Sequence, residues 1–273
     1  MTIDKLPLRK ELAQPYELPE AAVTYYQEFG YVKLKNVLSE VVLNYYGKII
    51  TNKVIELNTL TKPMEERTTY EKAFLQIMNL WTEDEEVKEF AFSKRLAKIA
   101  ADLMEVKGVR MYHDQALYKE PSGGITPWHA DQFYWPLSSE KTITAWIPLQ
   151  TTPMNMGPLA FAEKSQAVEI GRDLEISDES EAYMASQLTQ FELNETPFEL
   201  GELSFHAGWL FHRAGANKSD QARKVMTMIY IDQDQKITQP KNSFQQADWK
   251  TWLASKEIGT TPDSKLNPVL FSY

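Results

Sequence analysis

The sequence predicts a mostly β protein with flanking helices, in which a double-stranded β-helix (a cupin-like jelly roll) forms the core and N-terminal helices brace it. Two observations support this fold class. Apolar residues recur at helical spacing through much of the first hundred residues, whereas from Val109 they alternate with a period of two. Turn-forming segments at residues 121–124 and 155–158 then separate short strands. Helices followed by many short strands are typical of a helix-braced double sheet.

The length of the chain favours a single domain. With 273 residues, of which 43% are hydrophobic, one enlarged core can be buried. We expect residues 1–273 to form a single domain in three parts, and no internal repeat interrupts it. These parts are a mainly helical segment at residues 1–105, a jelly-roll core at 106–235, and a C-terminal helix and tail at 236–273.

The N-terminal helices and the first strand have local start and stop signals. After an extended arm, Pro19 begins a helix that ends at Phe29 before Gly30, and an alternating strand follows at residues 31–35. Ser39 is placed to cap the next helix, which carries an apolar stripe from residue 42 to residue 54. Further helices are expected at residues 69–80, 83–92 and 93–104, with Thr82 and Ser93 as caps for the last two.

The β region contains a strand whose two faces differ. Between residues 143 and 149 the odd-numbered residues are apolar, while Thr144 and Trp146 point to the other side. Strands are also expected at residues 203–205 and 225–231, and a helix at 243–254. Residues 171–182 are acidic and poor in apolar groups, which predicts a solvated loop or lid.

Composition excludes several classes of function. The net charge of −9 repels phosphate backbones, so we expect no nucleic-acid partner. No run of about 18 apolar residues and no secretory signal is visible, so we expect a cytoplasmic protein without a membrane partner. Because cysteine is absent, any metal must be held by histidine or carboxylate side chains.

A His-x-Asp motif is the first candidate for a metal site. His129 and Asp131 are two residues apart, so on a strand their side chains leave the same face. Two histidines and one carboxylate form a facial set of iron ligands that leaves positions open for substrate and O₂. Either His206 or His212 can supply the second imidazole, and the spacing does not choose between them. A hydrogen-bonded His-Asp pair without a metal is the alternative.

The fuller pattern resembles the phytanoyl-CoA dioxygenase family of iron(II)- and 2-oxoglutarate-dependent oxygenases. Most of the chain takes part in the resemblance. Its four segments are Phe29-Gly30-Tyr31-Val32 with the residues up to 38, Tyr118-Lys119-Glu120-Pro121 with Pro127-Trp128-His129-Ala130-Asp131, Ala145-Trp146-Ile147-Pro148-Leu149 with Asn155-Met156-Gly157-Pro158-Leu159, and residues 201–208 with His212, Gly215-Ala216-Asn217 and Arg223.

The resemblance implies a role for several side chains. His212 matches the second histidine ligand of Fe(II), whereas His206 matches a residue that is not a ligand. Arg223 matches the arginine that binds the distal carboxylate of 2-oxoglutarate, for which a two-pronged guanidinium is suited. Trp146 matches a position that lines the co-substrate pocket. Gln115 lies on a strand face that the resemblance directs into the barrel, where it can contact either co-substrate or substrate.

The resemblance implies a dioxygenase that hydroxylates an unactivated C–H bond of a small organic substrate and releases succinate and CO₂. Relatives that halogenate carbon have alanine in place of Asp131, so its presence argues against a halogenase. The family commonly has a serine where this chain has Ala214, and that departure favours the alternative of a metal-binding jelly roll without turnover. Desaturation or ring closure of a secondary metabolite is a further alternative. Candidate substrate contacts are His113, Phe133, Tyr134 and Arg213, and a homo-oligomer is left open.

Overall fold

The computed structural model describes residues 4–273, which contain eight α-helices and eleven β-strands. The helices are α1 (Leu6–Ala13), α2 (Glu20–Phe29), α3 (Glu40–Leu57), α4 (Thr69–Ala73), α5 (Glu85–Ala91), α6 (Lys94–Met104), α7 (Asp178–Gln187) and α8 (Ser243–Thr251). The strands are β1 (Tyr31–Leu34), β2 (Leu75–Met78), β3 (Gly108–Lys119), β4 (Thr126–His129), β5 (Thr142–Pro148), β6 (Leu159–Ala162), β7 (Leu193–Glu195), β8 (Leu203–Ala207), β9 (His212–Ala214), β10 (Arg223–Asp232) and β11 (Val269–Ser272).

Two antiparallel sheets form the core. The larger has the strand order β1-β8-β5-β10-β3-β11, and β2 also pairs with β3. The smaller has the order β4-β9-β6-β7. Non-consecutive neighbours in both sheets are the mark of a jelly roll. The predicted fold class, mostly β with flanking helices and a double-stranded core, is confirmed.

Strand β10 sets the positions of residues along the inner face of the larger sheet. Arg223 pairs with Lys119 at one end, and Ile229 pairs with both His113 and Thr144 further along. Alternate residues of a strand share a face. Six residues at about 3.3 Å each separate Arg223 from Ile229, so the two positions lie roughly 20 Å apart along the strand.

The helices cover the other face of the larger sheet. Ile143, Ala145 and Ile147 of β5 lie in one apolar cluster with buried residues of α3 and α6. Helix α3 begins as predicted, since the Ser39 hydroxyl accepts a hydrogen bond from the Val42 amide. The polar and aromatic face of β5 is therefore left for an internal cavity.

Four local predictions were wrong. Thr82 does not cap the helix after it, because α5 begins at Glu85 and the Asp84 carboxylate accepts from the Glu86 and Val87 amides. The N-terminal arm is helical in α1, because Leu8 and Leu12 lie one turn apart and are both buried in the core. Residues 69–80 are not one helix, since α4 ends at Ala73 and β2 pairs with β3. The acidic segment at 171–182 runs into α7, which a capping box at Ser177 begins.

A membrane-spanning helix needs about 20 largely apolar residues. Within residues 4–273, every helix is too short or too polar to span a membrane.

Strands β1 and β2 come from the mainly helical N-terminal segment, and β11 comes from the C-terminal tail, yet all three belong to the larger sheet. The three expected parts of the chain are thus joined within one sheet.

Candidate metal and co-substrate site

Two histidines and one aspartate meet where β4 pairs with β9. His129 and His212 are cross-strand partners, and their ring centroids are 4.2 Å apart. Nε2 of each ring lies 3.7 Å from Oδ1 of Asp131. Each residue thereby offers one ligand atom, and the three atoms lie within 4.8 Å of one another.

Both imidazole rings are oriented by the backbone. Nδ1 of His129 lies 2.7 Å from the Pro127 carbonyl, and Nδ1 of His212 lies 3.0 Å from the Leu210 carbonyl. Because a carbonyl only accepts, each Nδ1 carries the proton and each Nε2 presents a lone pair. Burial, together with a neighbouring histidine, lowers the pKa of both rings to about 4. Both are therefore neutral at physiological pH, the form that binds metals.

Asp131 is held as a carboxylate by the groups around it. Its Oδ2 accepts a hydrogen bond from the Thr144 hydroxyl at 2.7 Å and lies 3.3 Å from Nε2 of His206. Burial acts to raise the pKa of Asp131, but His212 and then His206 outweigh it and lower the pKa well below its ordinary value. His206 contacts Oδ2, whereas the two other imidazoles face Oδ1.

The donor set fits Fe(II). Two neutral imidazoles and one carboxylate on one side of an ion leave the remaining positions of an octahedron open. The hydrogen bonds from both Nδ1 atoms and from Thr144 orient all three ligands before any ion binds. His129, Asp131 and His212 are the residues that would hold the metal.

Arg223 lies fully buried at one end of the cavity. Its Nη1 donates a hydrogen bond to the Gly157 carbonyl, and its Nε has no partner in the described chain. The guanidinium carbon lies 5.5 Å from the ring centroid of Trp146. Burial lowers the pKa of Arg223 to about 9, so the side chain is still charged at neutral pH. A buried cation with an unused donor fits the carboxylate of a co-substrate.

Thr126 also lines the cavity, and Lys119 lies behind it as the cross-strand partner of Arg223; sequence reasoning gave neither a role. Nζ of Lys119 donates to the Gly124 carbonyl and, at 3.2 Å, to the Thr126 hydroxyl. Burial, and then the charge of Arg223, lowers the pKa of Lys119 to about 6. Thr126 is the cross-strand partner of Ala214, so a hydroxyl stands opposite the position where the family commonly has serine. Lys119 belongs to the segment Tyr118-Lys119-Glu120-Pro121 that carries the family resemblance, and that match was the sequence signal for it.

A cavity of about 410 Å³ connects these groups. It is lined by the three candidate ligands, by Arg223 and Trp146, and by Gln115, His113 and Tyr134. Phe133 and Arg213 lie outside this lining. The Phe133 ring packs 5.8 Å from that of Phe244, and Arg213 forms an ion pair with Glu181 at 3.0 Å. The sequence-predicted residues are thus brought together except for these two.

Comparisons with known proteins agree with this geometry. The family model of phytanoyl-CoA dioxygenase (PhyH) matches residues 26–225, which include every candidate ligand. No curated protein matches the chain. Among solved structures, the non-heme alpha ketoglutarate dependent carbocyclase SnoK from nogalamycin biosynthesis has a TM-score of 0.78 at 22% identity, with 94% of this chain and 99% of that chain covered.

Two further structures share the fold. The epimerase SnoN, in complex with Fe3+, alpha ketoglutarate and nogalamycin RO, has a TM-score of 0.77 at 21% identity and covers 92% of this chain and 98% of its own. EctD from S. alaskensis, with 2-oxoglutarate and 5-hydroxyectoine, has a TM-score of 0.68 at 16% identity and covers 85% of this chain and 86% of its own. Since the family model spans most of the chain, this protein belongs to the phytanoyl-CoA dioxygenase family of iron- and 2-oxoglutarate-dependent oxygenases.

Proposed function

We propose that the protein is a 2-oxoglutarate-dependent dioxygenase that hydroxylates an unactivated C–H bond of a small organic substrate. One observation carries the proposal. The three candidate metal ligands line the same cavity as Arg223, a buried arginine whose pKa no acidic side chain of residues 4–273 affects. Bound Fe(II) supplies the reduction of O₂ coupled to the oxidation of 2-oxoglutarate to succinate and CO₂. The chain's own residues bind, orient and shield these reactants.

His129, Asp131 and His212 would hold the iron. Because β4 and β9 pair at His129 and His212, both imidazoles approach from one sheet, whereas Asp131 is steadied from the opposite sheet by Thr144. All three residues line the cavity, so a bound metal would be reached from it. A ligand set fixed in this way costs little reorganisation when the co-substrate binds.

Arg223 binds the distal carboxylate of 2-oxoglutarate, with Thr126 and Lys119 beside it. Among residues 4–273, no acidic group acts on the pKa of either cation, so the co-substrate would bring the missing negative charge. The Thr126 hydroxyl supplies the hydrogen bond that Ala214 cannot make. The departure at Ala214 therefore does not argue against co-substrate binding.

We favour hydroxylation over halogenation because Asp131 would occupy the coordination position that a halide takes in relatives with alanine there. Similar folds include a carbocyclase and an epimerase, so product analysis decides between insertion of oxygen and ring closure. Hydroxylation adds one oxygen atom from O₂ to the substrate. Ring closure removes two hydrogens and adds no oxygen.

The test is formation of succinate from 2-oxoglutarate under air with Fe(II). We expect the parent to turn over slowly without substrate, and His129→Ala and Asp131→Ala to lose this activity by at least about a hundredfold, since metal ligands act as a unit. Asp220→Asn is the matched control, because Asp220 is an exposed carboxylate. A parent that binds Fe(II) and 2-oxoglutarate yet forms no succinate would support a binding protein without turnover.

A further inference from the structure

The cavity extends well beyond the space that the co-substrate needs. Arg223 binds one end of a five-carbon acid, and Ile229 lies roughly 20 Å further along β10. His113 is the cross-strand partner of Ile229, and Asp248 and Trp252 of the C-terminal region line the same end of the cavity. We name this end, formed by His113, Asp248, Trp252, Tyr70 and Tyr134, the outer subsite.

The outer subsite has an acidic side chain and no lysine or arginine. Asp248 belongs to it, and Glu175, which is exposed, also lines the cavity. Among the described residues that line the cavity, Arg223 is the one lysine or arginine, and it lies at the opposite end. The rest of the wall is largely aromatic. A carboxylate among aromatic faces attracts an organic cation, because the π faces are also negative.

Asp248 is anchored with one oxygen free. The Tyr112 hydroxyl donates to its Oδ2 at 2.9 Å, and within residues 4–273 no group donates to Oδ1. Helix α8, which carries Asp248, is fixed to the barrel by Gln245, whose Nε2 donates to the Phe133 carbonyl at 2.9 Å. Burial raises the pKa of Asp248 to about 7, the response of a carboxylate that lacks a counter-ion.

His113 supplies a second, independent sign of a polar ligand. Only 3% of its surface is exposed, and its buried Nδ1 has no hydrogen-bond partner in the described chain. Its ring centroid lies 5.7 Å from that of Trp252. Burial lowers the pKa of His113 to about 4, so the ring is neutral and can donate through one nitrogen and accept through the other. Buried polar groups without a partner are rare in proteins and require an explanation.

We propose that the outer subsite binds an organic ammonium group of the substrate, with Asp248 as its counter-ion and the aromatic wall around it. His113 forms a hydrogen bond with a hydroxyl or carbonyl group next to the amine. The inference rests on the proposed function, in that the amine belongs to the molecule whose C–H bond is oxidised. It names the substrate class as an amine with an apolar body.

Three probes that share a phenylethyl body and differ in the charge of the end group test whether the outer subsite prefers an amine. They are 2-phenylethylamine, 2-phenylethanol and 3-phenylpropionate, titrated into protein loaded with Mn(II) and 2-oxoglutarate and measured by calorimetry or ligand-observed NMR at pH 8. The amine is then cationic and Asp248 is ionised. We expect the amine to bind on the order of tenfold more tightly than the alcohol, from one charge-assisted hydrogen bond, and the acid to bind most weakly.

Asp248→Asn should remove this preference. The amide keeps the size of the side chain and an acceptor for Tyr112 but loses the charge, so the amine and the alcohol should bind within about twofold of each other. Unchanged binding of the alcohol by the variant shows that the subsite is still folded. Asp220→Asn is the surface control and should keep the preference of the parent.

Two results would overturn the inference. One is a parent that binds the alcohol or the acid as tightly as the amine, and the other is an amine preference that survives Asp248→Asn. Succinate formation separates this failure from that of the proposed function. A parent that turns over 2-oxoglutarate but shows no amine preference refutes the outer subsite alone, whereas amine preference without any turnover refutes the dioxygenase alone.

Discussion

Arg223 and the buried amine of Lys119 are cross-strand neighbours, and no acidic group in the described chain acts on the pKa of either. Their mutual repulsion is relieved by loss of the Lys119 proton, because burial and Arg223 lower its pKa to about 6. A carboxylate placed between them would raise that pKa again. We therefore expect binding of 2-oxoglutarate to be coupled to uptake of a proton.

The coupling predicts a pH dependence. At pH 7.5 the free Lys119 is mostly neutral, so 2-oxoglutarate should bind with uptake of up to about one proton, and its affinity should fall as the pH rises. Calorimetry in buffers of different ionisation enthalpy measures this number. Lys119→Met should abolish the uptake while Arg223 still binds the acid. Proton release on binding in the parent would contradict the prediction.

Among the single residues of the site, the candidate metal ligands were the most predictable from the sequence. The alternation that places His129 and Asp131 on one side holds because Ala130 between them is extended, with φ −124° and ψ 128°. The choice of His212 over His206 required the resemblance, since both histidines lie near Asp131. Thr126 could not be found, because its position opposite Ala214 depends on strand register.

Helix α7 begins within residues 171–182, for which the sequence predicted a solvated loop or lid. It packs on β4, and Glu181 links β4 to β9, the two strands that carry the candidate histidine ligands. Oε2 of Glu181 accepts from the Trp128 amide at 2.7 Å, and Oε1 accepts from Arg213 at 3.0 Å. Since Trp128 and Arg213 each adjoin a candidate histidine ligand, Glu181 steadies both ligands without belonging to the ligand group itself.

Loss of this carboxylate should weaken the metal site. We expect Glu181→Ala to raise the Kd for Mn(II) by about tenfold, the lower end of the range for residues that orient metal ligands. Glu179→Ala, an exposed glutamate on the same helix, is the control and should leave the Kd unchanged. Equal Kd values for Glu181→Ala and the parent would mean that α7 only covers the site.

Elements with strong local signals were predicted well, and those that depend on distant partners were not. Ser39 and Ser93 cap α3 and α6 as expected, because a cap is encoded within four residues. Strand β2 follows α4 directly and is stabilised by its pairing with β3. Such a pairing is invisible to local periodicity, which is why residues 69–80 were predicted as one helix.

The whole molecule should be more stable with a divalent cation bound. At a hundred times Kd, a ligand of the folded state adds about 2.7 kcal/mol to its stability, which corresponds to a rise in Tm of roughly 5–10 °C for a chain of this size. Mn(II) should give this shift in calorimetry, and Asp131→Asn should lose it. An identical shift in the variant would place the ion elsewhere.

The pH range of this stabilisation follows from the ligands. Metal binding needs unprotonated imidazoles, and the pKa values of His129 and His212 are lowered to about 4. The shift should persist as the pH falls from 8 to about 5 and disappear as it falls through 4. Ligands with the ordinary histidine pKa of about 6.5 would lose the shift between pH 7 and 6.

At the scale of the whole molecule, the change of hydrophobic period near residue 109 was enough to predict the fold class. The outer subsite was beyond such reasoning. Asp248 and Trp252 come from the end of the chain, and they meet His113 of β3 only after the barrel has closed. Contacts between residues so far apart in the chain are set by the complete topology and leave no local pattern in the sequence.

The pairing of His129 with His212 has a consequence for a chain that lacks cysteine. An ion held there fastens two short strands that are distant in sequence, as a disulfide does in secreted proteins. Without the ion, the short pairing of β4 with β9 and the contacts of Glu181 join these two segments. We therefore expect proteases to cut the metal-free protein faster than the metal-loaded protein.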